Sequence, residues 1–240
     1  MRLDNRNEAE LRKIDIKVGV NKWAEGSCEF HLGDTIVYIT ASVEERVPFF
    51  LKGSGSGWVT AEYCMVPRAT ENRVQREART GRVSGRTYEI QRLIGRSLRA
   101  GVHLKSLGER TIHVDCEVIQ ADGGTRTASI SGGFVAMYEA IKRLKPRGIT
   151  PATVVRSFIS AVSIGMFKRK PLLDLNYYED SRADVDMNVV MDDRGDIIEI
   201  QGTAEHASFS RKHLLKMLDL AEAGTAEVIK LQKQALKLIK

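Results

Sequence analysis

The sequence predicts an α+β fold from three observations: one stretch of strict strand alternation, helical stripes that follow strand-like segments, and glycine-marked turns between them. Residues 111–120 put Ile112, Val114, Cys116 and Val118 on one face and His113, Asp115 and Glu117 on the other, the period of a half-buried strand. Ile90, Leu93, Ile94 and Leu98 form the i, i+3, i+4, i+8 stripe of a helix. Because each half reads as strands followed by helix, we expect a weak duplication of one α+β unit. The halves, roughly 1–145 and 146–240, would form one compact domain over residues 1–240. A chain of 240 residues, 42% hydrophobic, buries such a core without disulfides or metals.

Taken in order, glycines at 53–57, 81–85 and 123–124 predict loops. Thr87 to Ala100 is expected to be helical, and the strand 111–120 to end at Asp122-Gly123-Gly124. A helix then runs from about Thr127 to Leu144, closed by Lys142, Arg143 and Lys145 before Pro146. Residues 153–166 are strand-rich. Val185, Met187, Val189 and Met191 next alternate with Asp186 and Asn188, and Asp193-Arg194-Gly195 signals a hairpin whose return strand is Ile197 to Ile200. An amphipathic helical region from Ser210 to Ile239 ends the chain. It should bend or break near Gly224, since glycine costs about 1 kcal/mol relative to alanine inside a helix.

Composition narrows the function classes. Thirty-seven Lys and Arg against 31 Asp and Glu leave a net charge of +6, which favours polyanionic partners. The cysteines, Cys28, Cys64 and Cys116, have no CxxC spacing and predict neither a disulfide framework nor a zinc knuckle. Met1 to Lys13 is crowded with charge and lacks the apolar core of a secretory signal, and no stretch approaches the roughly 20 apolar residues of a membrane span. A cytoplasmic protein with no membrane partner is expected. The scattered histidines make no i, i+4 pair, so a protein-ligated transition metal is not expected.

Three constellations carry chemistry. Six arginines lie between Arg68 and Arg86, at 68, 73, 76, 79, 82 and 86. Their guanidinium forks suit phosphate oxygens, although a solvated helix face or a subunit interface would have the same composition. Trp58, Tyr63 and Tyr88 could stack bases nearby, but core or interface is the favoured place for each. Second, Gly123-Gly124-Thr125-Arg126-Thr127 stands between a strand and a helix, where glycines let backbone amides approach an anion and Arg126 adds a full charge; a helix capped by Thr125 or Thr127 explains it as well. Third, Glu179, Asp180, Asp184 and Asp186 gather at a strand start, as a Mg²⁺ site or as a solvated acidic loop.

Together these stretches resemble the RNase PH family over nearly the whole chain. The resemblance is carried by Gly57-Trp58-Val59-Thr60-Ala61-Glu62-Tyr63, Pro67-Arg68-Ala69-Thr70, Gly85-Arg86-Thr87, the run from Glu89 to Arg99, and Asp122-Gly123-Gly124-Thr125-Arg126-Thr127-Ala128-Ser129. Asp174-Leu175-Asn176-Tyr177, Glu179-Asp180-Ser181, Asp186-Met187-Asn188-Val189-Val190 and Gln201-Gly202-Thr203-Ala204-Glu205 continue it in register. The chain departs from the pattern at Asn5 and His206, where the family has glycine, and at Cys64.

The resemblance implies two related β-α halves of ribosomal-protein-like topology and a homohexamer built as a trimer of dimers. It also implies phosphorolytic 3′→5′ exoribonuclease, or nucleotidyltransferase, activity on tRNA precursors and other RNA 3′ ends, ribosomal RNA among them. Inorganic phosphate would be co-substrate and Mg²⁺ the cofactor. It assigns phosphate binding to Arg86, Gly124, Thr125 and Arg126, the catalytic or Mg²⁺-associated carboxylates to Asp180 and Asp186, and guidance of the RNA to Arg68, Arg73 and Arg76. A silent, ring-forming RNA-binding subunit of the same fold is the alternative, and the four residues Arg86, Arg126, Asp180 and Asp186 speak against it.

Overall fold

The computed structural model describes residues 2–205 and 208–239. Its first half holds strands β1 (Ile14–Val18), β2 (Gly26–Leu32), β3 (Thr35–Glu44), β4 (Trp58–Met65) and β5 (Thr111–Gln120), and helices α1 (Glu77–Thr80), α2 (Gly85–Ala100), α3 (Leu104–Leu107) and α4 (Thr125–Arg143). Its second half holds α5 (Pro151–Val154), β6 (Ile159–Phe167), β7 (Lys170–Leu173), α6 (Tyr177–Asp180), β8 (Val185–Asp192), β9 (Ile197–Ala204) and α7 (Arg211–Ala235).

The first sheet has the order β1-β2-β3-β5-β4, with β4 parallel to β5 and the other pairs antiparallel. A parallel pair needs a crossover, which α2 supplies by packing on β4. Helix α4 covers β2 and β3, so Phe30, Ile39, Val114, Ile94, Leu98 and Phe134 close into one dry layer. The second sheet, β7-β6-β8-β9, is antiparallel throughout and is backed by α7. The halves therefore share strands-then-helix order, while the β4-α2-β5 crossover belongs to the first alone.

The halves meet along β6. Strand β7 pairs with β6 only from Ile164 to Phe167, which leaves the polar edge of Ile159 to Ser163 without a strand neighbour on that side. Buried backbone groups need partners, and side chains from elsewhere provide them. Ser131 on α4 bonds both the carbonyl and the amide of Ala161 through its hydroxyl, at 3.4 and 3.1 Å. The Gln232 amide on α7 donates to Ser131 O and Ile159 O, each at 2.9 Å. The Asp174 amide donates to Ser163 O at 2.7 Å.

Several local expectations shift. Helix α4 begins at Thr125, two residues before the apolar periodicity starts, because Gly124 in the left-handed region (φ 69°) turns the chain directly into it. Gly85 opens α2 rather than lying in a loop, since the Ser84 hydroxyl accepts from Thr87 N at 3.1 Å as N-cap. Residues 151–154 are a helical turn started by Pro151 and a Thr150–Thr153 capping box, so the strand begins only at Ile159. Helix α7 runs unbroken through Gly224, contrary to the expected break. A Cβ there would lie 2.8 Å from Leu173 Cδ1, so the glycine serves close packing on β7. Asn5, where the family has glycine, adopts φ 62°, a conformation asparagine tolerates. His206 lies outside the described residues.

Candidate active site

A cleft of about 560 Å³ opens where the two halves face each other. From the first half it receives the turn into α4 (Gly123 to Arg126), Arg86 in the first turn of α2, and the loop Thr70 to Val74. From the second it receives Tyr177, Asp180, Asp186 and Asn188. Arg86, Gly124, Thr125, Arg126, Asp180 and Asp186 are thus brought together from three separate parts of the chain.

The α4 end of the cleft is electropositive. No side chain caps the helix N-terminus, so its first amides carry the positive end of the helix dipole toward the cleft. Gly123 is at φ 75°, and a Cβ on it would lie 2.6 Å from Leu175 O; only glycine lets this turn nest against the chain carrying Asp180. Thr125 is buried, its hydroxyl 2.9 Å from the Tyr63 hydroxyl. That contact fixes the first turn, while burial raises the Tyr63 pKa. Arg126 pairs with Glu89 through Nη2 at 3.2 Å, and its buried Nε has no hydrogen-bond partner among the described residues. Arg126 lines the cleft, so its guanidinium adds a full positive charge beside the helix N-terminus.

The opposite wall is acidic. Asp180 ends the short helix α6, and Asp186 projects from β8 opposite Gly165 on β6 and Thr203 on β9. Burial raises the pKa of Asp180 against the pull of Arg126 and Arg86. Burial and then the neighbouring Asp180 carboxylate push Asp186 up to about 6, against the same two arginines. The other two acids of the cluster do not join them. Glu179 is 1% exposed and locked by Arg2, whose Nε and Nη2 each lie 2.8 Å from its oxygens, so it is a structural ion pair. Asp184 does not line the cleft. Among the described residues, no group of three or more His, Cys, Asp or Glu side chains is placed to hold a metal ion.

Of the arginines expected to guide RNA, Arg73 lines the cleft, whereas Arg68 and Arg76 are exposed outside it. Tyr63 is core, Trp58 packs under the Arg99 guanidinium at 4.2 Å, and Tyr88 is exposed away from the cleft.

Sequence reading missed the groups that hold the two walls together. Arg12 donates from Nε and Nη2 to the Asp174 carboxylate at 3.0 and 2.7 Å, and to the carbonyls of Leu175, Gly123 and Asp122. Arg2 reaches Leu173 O and Asp174 O at 2.8 and 2.6 Å. The Tyr177 amide donates to Asp122 Oδ1 at 3.2 Å. The charge-crowded N-terminus was the available signal, but charge alone does not say that these arginines are buried. A second hollow, of about 490 Å³ beside Phe167 and Lys168, also borders this arm; its Arg2 and Lys170 are already paired, with Glu179 and Glu8.

Comparison with known proteins places this arrangement. A family model described as the 3′ exoribonuclease family, domain 1, matches residues 10–142, and its domain 2 counterpart matches residues 157–224. The chain is 55% identical over 235 residues to Ribonuclease PH of Syntrophomonas wolfei subsp. wolfei, covering 98% of both chains. It is 54% identical over 237 residues to Ribonuclease PH of Bacillus cereus, covering 98% of this chain and 97% of that one. The fold is shared with rice Rrp46 (TM-score 0.78, 18% identity, covering 98% of this chain and 100% of that one). It is also shared with a chain of the Archaeoglobus fulgidus exosome with RNA bound to the active site (TM-score 0.80, 22% identity, covering 99% and 92%).

Proposed function

The chain belongs to the RNase PH family of 3′ exoribonucleases, and from that premise we propose that it is a phosphate-dependent 3′→5′ exoribonuclease that trims tRNA precursors and releases nucleoside diphosphates. The observation that carries the reading is that Arg126, beside an uncapped helix N-terminus, and the Asp180 and Asp186 carboxylates line one cleft.

Arg126, Arg86 and the α4 amides bind the attacking inorganic phosphate, with Gly124 and Thr125 shaping the turn that presents those amides. Attack on the phosphorus of the last phosphodiester forms the phosphoanhydride of a nucleoside diphosphate and breaks the bond to the 3′-oxygen of the preceding ribose. The arginines stabilise the charge spread over the transferring group. Asp186, protonated over a useful range because its pKa is about 6, gives its proton to the departing 3′-oxygen. A phosphodiester is exchanged for a phosphoanhydride of similar energy, so the same site run backwards adds nucleotides to RNA 3′ ends.

Two carboxylates lining one cleft, one of which raises the proton affinity of the other, also fit a hard divalent cation, which takes one or two protein carboxylates and completes its shell with water and substrate phosphate. Asp180 and the ionised form of Asp186 would hold Mg²⁺, which would neutralise phosphate charge, while the proton-donor role belongs to Asp186 in its protonated form. Arg73 at the cleft and Arg68 and Arg76 beyond it would guide the RNA backbone.

The two halves share one hydrophobic core, which supports treating residues 1–240 as a single domain. Family membership supports a homohexamer arranged as a trimer of dimers, and the uncovered Phe49 and Phe50, 92% and 69% exposed, offer apolar surface for it. Among the described residues no helix is long and apolar enough to cross a membrane; a cytoplasmic place of work is inferred from the proposed tRNA-precursor substrates.

The test is incubation with Mg²⁺ and a tRNA carrying extra 3′ nucleotides, with and without inorganic phosphate. Nucleoside diphosphates released only with phosphate are the expected result. Monophosphates released without phosphate would make it a hydrolase, and RNA binding without release would make it a silent subunit.

A further inference from the structure

We propose that Tyr177 is the platform on which the base of the RNA's 3′-terminal nucleotide stacks. This rests on the phosphorolytic reading of the cleft and names how that cleft holds the nucleoside it removes. Tyr177 is the first residue of α6 and Asp180 the last. Residues three apart on a helix share a face, so the ring stands on the rim beside the carboxylate that lines the cleft. Among the described residues lining the cleft, it is the aromatic one.

The ring is presented, not packed. It is 63% exposed, and exposing a tyrosine ring wastes apolar area unless something covers it. Its neighbour shows the alternative. Tyr178 lies edge-on to Phe167 at 6.3 Å and under the Arg182 guanidinium at 4.1 Å, so it serves the fold. The backbone beneath Tyr177 is held firmly. Its amide donates to Asp122 Oδ1, Asn176 and Glu179 form a capping box around it, and Glu179 is clamped by Arg2. A base arriving there meets a surface whose position is already fixed, which lowers the ordering cost of stacking.

The rest of the cleft supplies what such a base lacks. On that reading the planar guanidinium groups of Arg126 and Arg86 are taken up by phosphate oxygens and Asp186 by the leaving oxygen, which leaves the base without a free face to stack on. A π-face serves every base, as an exonuclease that removes successive nucleotides requires.

The experiment uses the full chain and an RNA ending in 2-aminopurine, first without phosphate, so that binding is read with no turnover. Fluorescence of the bound 3′ base should be quenched by the wild type and by Tyr177→Phe, but not by Tyr177→Leu. A 2-aminopurine placed several nucleotides upstream should report no difference. With phosphate added, Tyr177→Leu should raise KM for RNA about tenfold with kcat little changed, and in the reverse direction raise KM for the nucleoside diphosphate similarly. Equal quenching by the wild type and Tyr177→Leu, or an unchanged nucleoside diphosphate KM, would overturn the proposal. A wild type that quenches but releases no nucleoside diphosphate would instead remove the phosphorolytic reading and leave the stacking contact standing.

Discussion

Asp186 is the residue at which burial, charge and chemistry converge. Burial and Asp180 place its pKa near 6, and a general acid must be protonated to act. Phosphorolysis should therefore fall as pH rises through about 6, and the reverse addition, which needs the carboxylate as base, should rise over the same range. Initial rates in both directions across that range check the crossing. The same raised pKa is a stability statement. The folded state holds this proton more tightly than the unfolded chain, so the contribution is present at low pH and is lost as pH rises from the unfolded value toward about 6. Asp186→Asn should abolish phosphorolysis while raising the melting temperature at neutral pH. Loss of both activity and stability would contradict that account. Arg126 makes the complementary case: Arg126→Ala should raise KM for phosphate about tenfold or more while the affinity for RNA, measured without phosphate, changes far less. As candidates these groups were visible in continuous local patterns, a glycine turn before a helix and acids at a strand start, but those patterns fit a capped helix and a solvated loop as well, and only the family resemblance gave the residues roles. Glu179 was misplaced among them because sequence shows that an acid is near a site, not that an arginine 177 positions away has claimed it.

At the scale of elements, periodicity revealed those that bury one face. β5 and α2 could be read directly, whereas β3 could not, because Ile36 and Tyr38 put apolar side chains on the face opposite buried Val37 and Ile39 and blur the alternation. Gly224 was misread for a related reason. Its propensity argues for a break, but the helix is decided by what it lies against. The consequence can be measured. Gly224→Ala adds helix propensity worth about 1 kcal/mol, yet its Cβ would sit 2.8 and 3.0 Å from the two Leu173 methyls and 3.3 Å from Val162. Overpacking of that kind costs about 1–3 kcal/mol, so the net effect in a urea melt should be a small destabilisation. Leu173→Val beside it should recover part of the loss, and simple additivity of the two changes would show that the contact does not limit packing there.

For the whole molecule, the decisive feature is that the cleft has one wall in each half and an N-terminal arm pinned to both. Arg12 reaches Asp174, 162 residues away, and on the other side the Asp122 and Gly123 carbonyls of the turn before α4. Asp174 itself sits at φ 54°, 1% exposed, a conformation held by the bonds around it. No local pattern announces such a pair. Removing one partner of a buried ion pair leaves the other charge uncompensated, so Asp174→Asn should cost about 3–5 kcal/mol. Because one hydrophobic core runs through both halves, that cost should appear as a lower midpoint of a single unfolding transition. Below that midpoint phosphorolysis should still fall, since Asp180 and the α4 turn lose their common tie. Replacing both partners, Arg12→Met with Asp174→Leu, should return part of the stability, because the Arg12 charge goes with its partner, although Arg6, whose Nη1 lies 3.2 Å from the Asp174 carboxylate, and the positive φ of position 174 limit the recovery; it should not return the rate. Recovery of rate along with stability would mean that the arm only strengthens the fold. Stability regained without rate would identify it as the element that sets the distance between the phosphate and the acid.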